Sequence, residues 1–328
     1  MAVSTACSPV PRELLEAFGL DAARLIPPGT VESESRGEAR SGAGACSWCK
    51  SALGALQEGD VWIGGATCDQ MRRTLELAGR TAGADAYVVG VPKTRTPEAE
   101  ELFVREIGDL SAELARRTGR RLDPEALRRA IDARDRVRAR MRTVRRGLSG
   151  SEFTALVHLA ERLPAGEMED VLDRIPPPAA RPPGVPVLIS GSPTTPAELG
   201  WFRLLEKAGL DVVADATCTG DRAIDFTVGL SPGEDPLRAL ALAYFRRPPC
   251  LFVRPNDAFY EYAARLAAER GARAVVWRSV RGCDICGLEA PRAERLLGRP
   301  ILALDMSYGD ADSVRIRTRV EAFAESLR

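Results

Sequence analysis

With 328 residues the chain is long enough for two domains of ordinary size, each with its own core. Lys plus Arg and Asp plus Glu both number 46, so there is no net basic field, and no nucleic-acid-binding signature is present. The start, Met1-Ala2-Val3-Ser4, has neither a basic n-region nor an apolar h-region, and no apolar run reaches about 18 residues, so a cytoplasmic protein with no membrane and no nucleic-acid partner is expected.

Pro11 opens a helix that stops near Gly19, and a short strand follows around Ala23-Arg24-Leu25-Ile26. The stretch from Pro27 to Gly44 is rich in Gly, Ser and Glu and predicts an exposed loop. Cys46-Ser47-Trp48-Cys49 opens a helical segment from Lys50 to Leu56, and Val61 to Thr67 reads as a strand. After Cys68, Asp69 can cap a helix from Gln70 to Ala78, followed by a strand from Ala86 to Val91. Strand–helix–strand alternation of this kind predicts a parallel sheet. From Pro97 to about Arg174 the pattern becomes helical, and its arginine runs are interspersed with acids, as on a solvated helix face. Pro176-Pro177-Pro178 and Pro182-Pro183 mark a linker. Beyond it, strands at 186–191, 211–215, 274–280 and 300–305 alternate with helices at 196–208, 236–246 and 257–270. The expected fold class is α/β: two Rossmann-like parallel-sheet lobes, residues 1–96 and 186–328, joined by a helical segment at 97–175 and a Pro-rich linker at 176–185. The stretches that end at Cys68 and Cys218 share a loose internal similarity.

In a reducing compartment structural disulfides are not expected, so the eight cysteines need another explanation. Three of them follow strand-like runs: Cys68 after Val61 to Thr67, Cys218 after Asp211 to Thr217, and Cys283 after Ala274 to Val280. Parallel sheets bind ligands outside the carboxyl ends of their strands, so these thiols can converge on one crevice. Cys68 and Cys46 stand at helix starts, where the dipole and free N–H groups favour a thiolate. Gly282 before Cys283 would let backbone approach a bulky ligand. Buried free thiols remain the plain alternative for any one cysteine. A zinc ribbon is disfavoured, because Cys46/Cys49 and Cys283/Cys286 lie in separate halves of the chain. The sole histidine, His158, sits in a helical apolar pattern and reads as a packed or half-exposed helix residue rather than a ligand. Soft thiolates from scattered segments suit iron–sulfur clusters, though spacing alone does not separate these from zinc.

Several segments together resemble a known family: Cys7-Ser8-Pro9-Val10-Pro11-Arg12-Glu13-Leu14-Leu15-Glu16-Ala17-Phe18-Gly19, Cys49-Lys50-Ser51-Ala52-Leu53-Gly54, Gly65-Ala66-Thr67-Cys68-Asp69, Leu188-Ile189-Ser190-Gly191-Ser192-Pro193, Cys218-Thr219-Gly220-Asp221-Arg222, Pro249-Cys250 and Thr318-Arg319-Val320-Glu321-Ala322-Phe323. In order and spacing they are similar to the 2-hydroxyacyl-CoA dehydratase and benzoyl-CoA reductase family, including its double-cubane-cluster relatives. The resemblance implies an iron–sulfur subunit, working as a homodimer or with a paralogous subunit and fed electrons by a separate ATP-dependent activator. No G-x-x-x-x-G-K-[ST] loop occurs in this chain, so the ATPase lies elsewhere.

It further implies a 4Fe-4S cluster held by three cysteines, matching Cys46 or Cys49, Cys68, and Cys283, with Cys286 a rival to Cys283. An open iron would take an acyl-CoA thioester carbonyl as a Lewis acid, for radical dehydration or reduction. In double-cubane relatives more thiols are used, and Cys218 and Cys250 are the extra candidates. The expected function is therefore a 2-hydroxyacyl-CoA dehydratase-like enzyme. The alternatives are an ATP-dependent double-cubane reductase of small molecules and a non-catalytic electron-transfer protein. Glu13 and Glu321 read as structural carboxylates.

Overall fold

The computed structural model describes residues 2–177, 183–310 and 313–328, with two parallel sheets of identical strand order. Strands β1 (Ala2–Ala6), β2 (Asp21–Arg24), β3 (Val61–Gly65) and β4 (Asp85–Val89) pair in the order β2-β1-β3-β4. Strands β5 (Val185–Gly191), β6 (Leu210–Asp215), β7 (Ala274–Val280) and β8 (Ile301–Met306) repeat it as β6-β5-β7-β8. Parallel neighbours require long crossovers, and the helices supply them. The first sheet is crossed by α1 (Arg12–Ala17), α2 (Val31–Ser41), α3 (Ser47–Ala55) and α4 (Asp69–Ala82). Four helices follow it: α5 (Pro97–Thr118), α6 (Pro124–Val144), α7 (Gly150–Ala160) and α8 (Ala165–Asp173). The second half of the chain supplies α9 (Leu199–Lys207), α10 (Pro236–Arg246), α11 (Asp257–Glu269), α12 (Asp284–Leu297) and α13 (Val314–Ser326). The Rossmann-like α/β architecture expected from the alternation is the one observed. Residues 178–182 of the expected linker lie outside the described residues.

β7 is buried along its whole length, as a central strand covered on both faces must be. The helical segment is not a passive spacer. Phe103, Ile107, Leu110 and Leu114 recur along one face of α5 and join the core of the first sheet, where Leu240, Ala241, Tyr244 and Phe245 of α10 also pack. At its other end α7 lies on the second sheet: a Cβ on Gly150 would stand 2.5 Å from Val212 of β6. Buried ions tie these layers. Glu13 of α1 accepts from Arg138 of α6 at 2.8 Å and from the Tyr244 hydroxyl at 2.7 Å, so it is a structural carboxylate, though a fully buried one.

Several elements depart from the pattern-based expectation. The exposed loop expected at Pro27–Gly44 instead holds α2, opened by a reciprocal Thr30/Ser33 capping box. Its glycine and serine content serves close packing. A Cβ on Gly37 would lie 1.6 Å from the Lys50 carbonyl oxygen, and one on Gly54 1.7 Å from that of Ser33, so α2 and α3 touch backbone to backbone. Strand β1 and helices α12 and α13 were not anticipated; Pro291 inside α12 masks its helical pattern. The cap of α4 is Cys68 rather than Asp69.

The turn leaving β5 is fixed by a buried pair. Arg278 of β7 bonds Glu198, and donates to the Pro193 carbonyl at 2.9 Å and the Ser192 carbonyl at 3.2 Å. Both charged side chains are wholly buried. Glu198 also accepts from the Thr195 amide at 2.9 Å. Gly191 has φ 105° and passes so near Arg278 that a Cβ would meet its carbonyl oxygen at 2.1 Å. Removing one partner strands a buried charge, so Glu198→Ala is expected to cost about 3–5 kcal/mol in urea unfolding. A loss under about 1 kcal/mol would show that the pair does not hold this turn.

Candidate metal-cluster site

All eight cysteines line one cavity of about 90 Å³ between the two sheets. They are all free. Four come from the first half, Cys7, Cys46, Cys49 and Cys68, and four from the second, Cys218, Cys250, Cys283 and Cys286. Cys68 follows β3, Cys218 follows β6 and Cys283 follows β7, so the thiols placed at strand ends by the pattern do converge. Cys250 reaches the cavity from the loop between α10 and α11.

Two residues escaped the sequence reading. Cys7 ends β1 as Cys68 ends β3, with φ 75° and its Sγ 3.1 Å from Thr67 Oγ1. The available signal was the short run Ala2-Val3-Ser4-Thr5-Ala6 before it, which is too small and polar to stand out as a strand. Arg24, at the end of β2, is the second. Its guanidinium donates to Cys218 Sγ at 3.0 Å, to the Cys218 carbonyl at 2.6 Å and to Glu161 at 3.2 Å, tying both halves together at the cavity wall. An arginine at this wall would offset the charge of an anionic cluster.

The two C-x-x-C pairs stand at the starts of α3 and α12, with Cys46 and Cys283 as N-caps. Hydrogen bonds from Cys49 lower the Cys46 thiol, while the same interaction and burial push Cys49 well up. The second pair repeats this: Cys286 brings Cys283 down to about 7 and is itself driven up. The first cysteine of each pair is thus the readier thiolate, and the second its donor. Burial dominates at Cys68, pushed up to about 12 although the Met71 amide donates to its sulfur at 3.3 Å. Cys7 is pushed up to about 11, by burial and by Cys218 and Cys250.

Gly282, at φ 78°, lies against Cys46: a Cβ there would stand 3.0 Å from the Cys46 Cα. Beside it the Ser47 amide donates to the Arg281 carbonyl at 2.9 Å. His158 is buried near Thr194 and is not among the lining residues; burial lowers it to about 4.

Among the described residues no three His, Cys, Asp or Glu side chains converge as they would about a single ion. Eight soft thiol donors spread over a shared wall have the chemistry of an iron–sulfur ligand set rather than of a single-ion site. The residues present fit an iron–sulfur group.

Fold and thiol set define a class: a two-sheet α/β protein with a cysteine-lined cavity between its halves. The chain belongs to the family described as 2-hydroxyglutaryl-CoA dehydratase, D-component, whose model matches residues 7–327. It is 25% identical to "Putative dehydratase subunit YjiM" of Escherichia coli (strain K12) over 359 aligned residues, spanning 99% of this chain and 91% of that protein. A solved structure of FpvC from P. aeruginosa with Ni2+ aligns over 100% of this chain and 95% of its own. At 14% identity and a TM-score of 0.23 it carries no argument. No described helix is long and apolar enough to cross a membrane.

The thiol chemistry is measurable without metal. In reduced, metal-free protein, iodoacetamide modification of Cys283 should rise with pH through a midpoint near 7 and outpace that of Cys68 at neutral pH. Peptide mass spectrometry reads both rates. Faster modification of Cys68, or a Cys283 midpoint at the ordinary thiol value, would remove Cys286 as an activating donor.

Proposed function

We propose that this chain is the cluster-bearing subunit of a 2-hydroxyacyl-CoA dehydratase-like enzyme of the low-potential type, and that its cavity takes a double-cubane iron–sulfur cluster. The carrying observation is that eight free thiols, four from each half, line a single cavity. Three would suffice for one open-iron 4Fe-4S cluster, and Cys218 and Cys250 would then be idle. Their place on the same wall as Cys68 and Cys283 favours the larger group. Bound there, such a cluster supplies one-electron chemistry at low potential to a substrate held beside it.

The chain's own residues bind and shield. Cys7, Cys46, Cys49 and Cys68 would hold one half of the cluster and Cys218, Cys250, Cys283 and Cys286 the other, with the surplus thiols as donors within the C-x-x-C pairs. Arg24 offsets negative charge at Cys218. Lys93 reaches over the end of β3 to the Ala66 carbonyl at 2.6 Å and to that of Thr67, adding a second cation close to the thiols. Trp48, Met71, Leu251 and Phe252 furnish apolar wall and exclude water. Electrons would come from a separate ATP-dependent iron–sulfur activator, in keeping with a family named as one component of a larger system. A homodimer or a paralogous subunit completes the proposed assembly.

The family match favours a second reading. A single 4Fe-4S cluster on Cys46 or Cys49, Cys68 and Cys283 would serve dehydration of an acyl-CoA, with its open iron as Lewis acid. Anaerobic purification from iron-replete cells, with iron and acid-labile sulfide counted, separates the two. Two 4Fe-4S halves require about eight irons per chain and one cluster about four. Cys218→Ser and Cys250→Ser should each lower iron by about half for the double cubane and leave it unchanged for the single cluster. Cys68→Ser should remove most of the cluster while the fold, followed by circular dichroism, persists. Stoichiometric zinc without sulfide in well-folded protein would overturn both readings.

A further inference from the structure

A second cavity, of about 50 Å³, adjoins the thiol-lined one, and Thr67, Arg222, Cys250 and Phe252 line both. Its wall carries Lys93, Arg95, Arg222 and Arg247 and no carboxylate. Arg222 and Arg247 are buried at its base, while Lys93 and Arg95 are exposed at its rim. Among the described residues none of the four is in an ion pair. Their recorded hydrogen bonds go to backbone carbonyls instead: Arg95 to that of Arg247 at 3.3 Å, Arg247 to those of Ser8 at 2.7 Å and Arg222 at 3.0 Å, and Lys93 to those of Ala66 and Thr67. The Arg222 Nε is buried with no partner.

Packing like charges in a partly dry pocket is unfavourable unless an anion compensates them. The thiols account for only part of this charge, because Arg95 and Arg247 line the second cavity and not the first. Arg95 is brought down to about 10, first by partial burial of its guanidinium and then by the neighbouring Arg222 and Arg247. Phe245, Phe252, Val91 and Val253 complete the wall with apolar surface. A space of this size holds a few waters or one carboxylate-sized group.

We infer that this cavity is an anion subsite that seats the carboxylate of a small organic acid on Arg95, Arg222 and Arg247, with the acid's apolar body directed past Cys250 and Phe252 toward the thiol-lined cavity. The inference deepens the proposed function and rests on it for the role of that neighbouring cavity. Phosphoryl groups share the same recognition chemistry, so the test distinguishes the two.

Acetate and inorganic phosphate are titrated calorimetrically into the anaerobically purified full chain, in buffer of constant ionic strength, for the wild type, Arg95→Gln and Arg95→Lys. Arg95 is exposed, so both variants are expected to fold, and their melting temperatures are read in parallel. The expected result is saturable acetate binding, tighter than that of phosphate, weakened roughly tenfold by Arg95→Gln and kept within about threefold by Arg95→Lys. Tighter phosphate binding overturns the organic-acid assignment. A linear, non-saturating response to acetate, or an unchanged Arg95→Gln, overturns the subsite itself. The iron and sulfide content of the same preparation decides the cluster reading separately, so the two failures cannot be confused.

Discussion

The site depends on a backbone contact between the halves: Arg281 and Gly282 lie against Cys46 and Ser47, with the Ser47 amide donating to the Arg281 carbonyl. Each C-x-x-C pair sits at a helix start in its own half, and residues of both halves line the cavity. With α3 and α12 clasped start to start, eight thiols from two sheets share one wall. Helix α2 reinforces the clasp. Glu34 accepts from the Ser47 hydroxyl at 2.5 Å and from the Tyr308 amide at 3.4 Å, linking α3 to the residues just after β8. A side chain at 282 would have to adopt a left-handed φ while pressing on Cys46, so glycine there sets how closely the halves meet.

Charge is the second constraint. Taking several thiolates out of water is costly, and the chain answers with oriented donors and cations rather than with acids. Helix starts and the second cysteine of each C-x-x-C pair stabilise Cys46 and Cys283. Cys7 and Cys68 lack such a donor thiol, and burial holds them protonated until something replaces the proton. In the proposed site a bound cluster would replace those protons, since metal binding releases protons from thiol ligands. Arg24 and Lys93 supply the fixed positive charge around it.

Much of this architecture was legible in the residues. Strand–helix alternation gave two parallel sheets, and the rule that ligands gather at carboxyl strand ends put Cys68, Cys218 and Cys283 together before any coordinates. What stayed hidden was set by tertiary packing. The α2 sequence has loop composition, yet its small residues are what let it lie against α3. Cys7 follows a strand of small residues whose only reward is a central place in the sheet. Arg24 looked like one arginine among many; only the approach of β2 to Cys218 makes it part of the wall.

The two halves share strand order but not thiol positions, which bears on how such a site is specified. β1 and β3 are adjacent central strands on either side of the first sheet's switch point, and Cys7 and Cys68 follow them. In the second sheet the matching strands are β5 and β7. Cys283 follows β7, but β5 runs into Gly191-Ser192-Pro193, and the second thiol comes instead from β6 through Cys218. Ser192 occupies the place that Cys7 holds in the first half, and its hydroxyl helps lower both Cys283 and Cys286 while accepting from the Val280 amide at 3.0 Å. What the sheets repeat is therefore the crevice, not the residues in it. One half fills its switch point with a thiol and the other with a hydroxyl that supports thiols. The buried Arg278–Glu198 pair keeps that hydroxyl in place, since Arg278 grips the Ser192 and Pro193 carbonyls from the neighbouring strand.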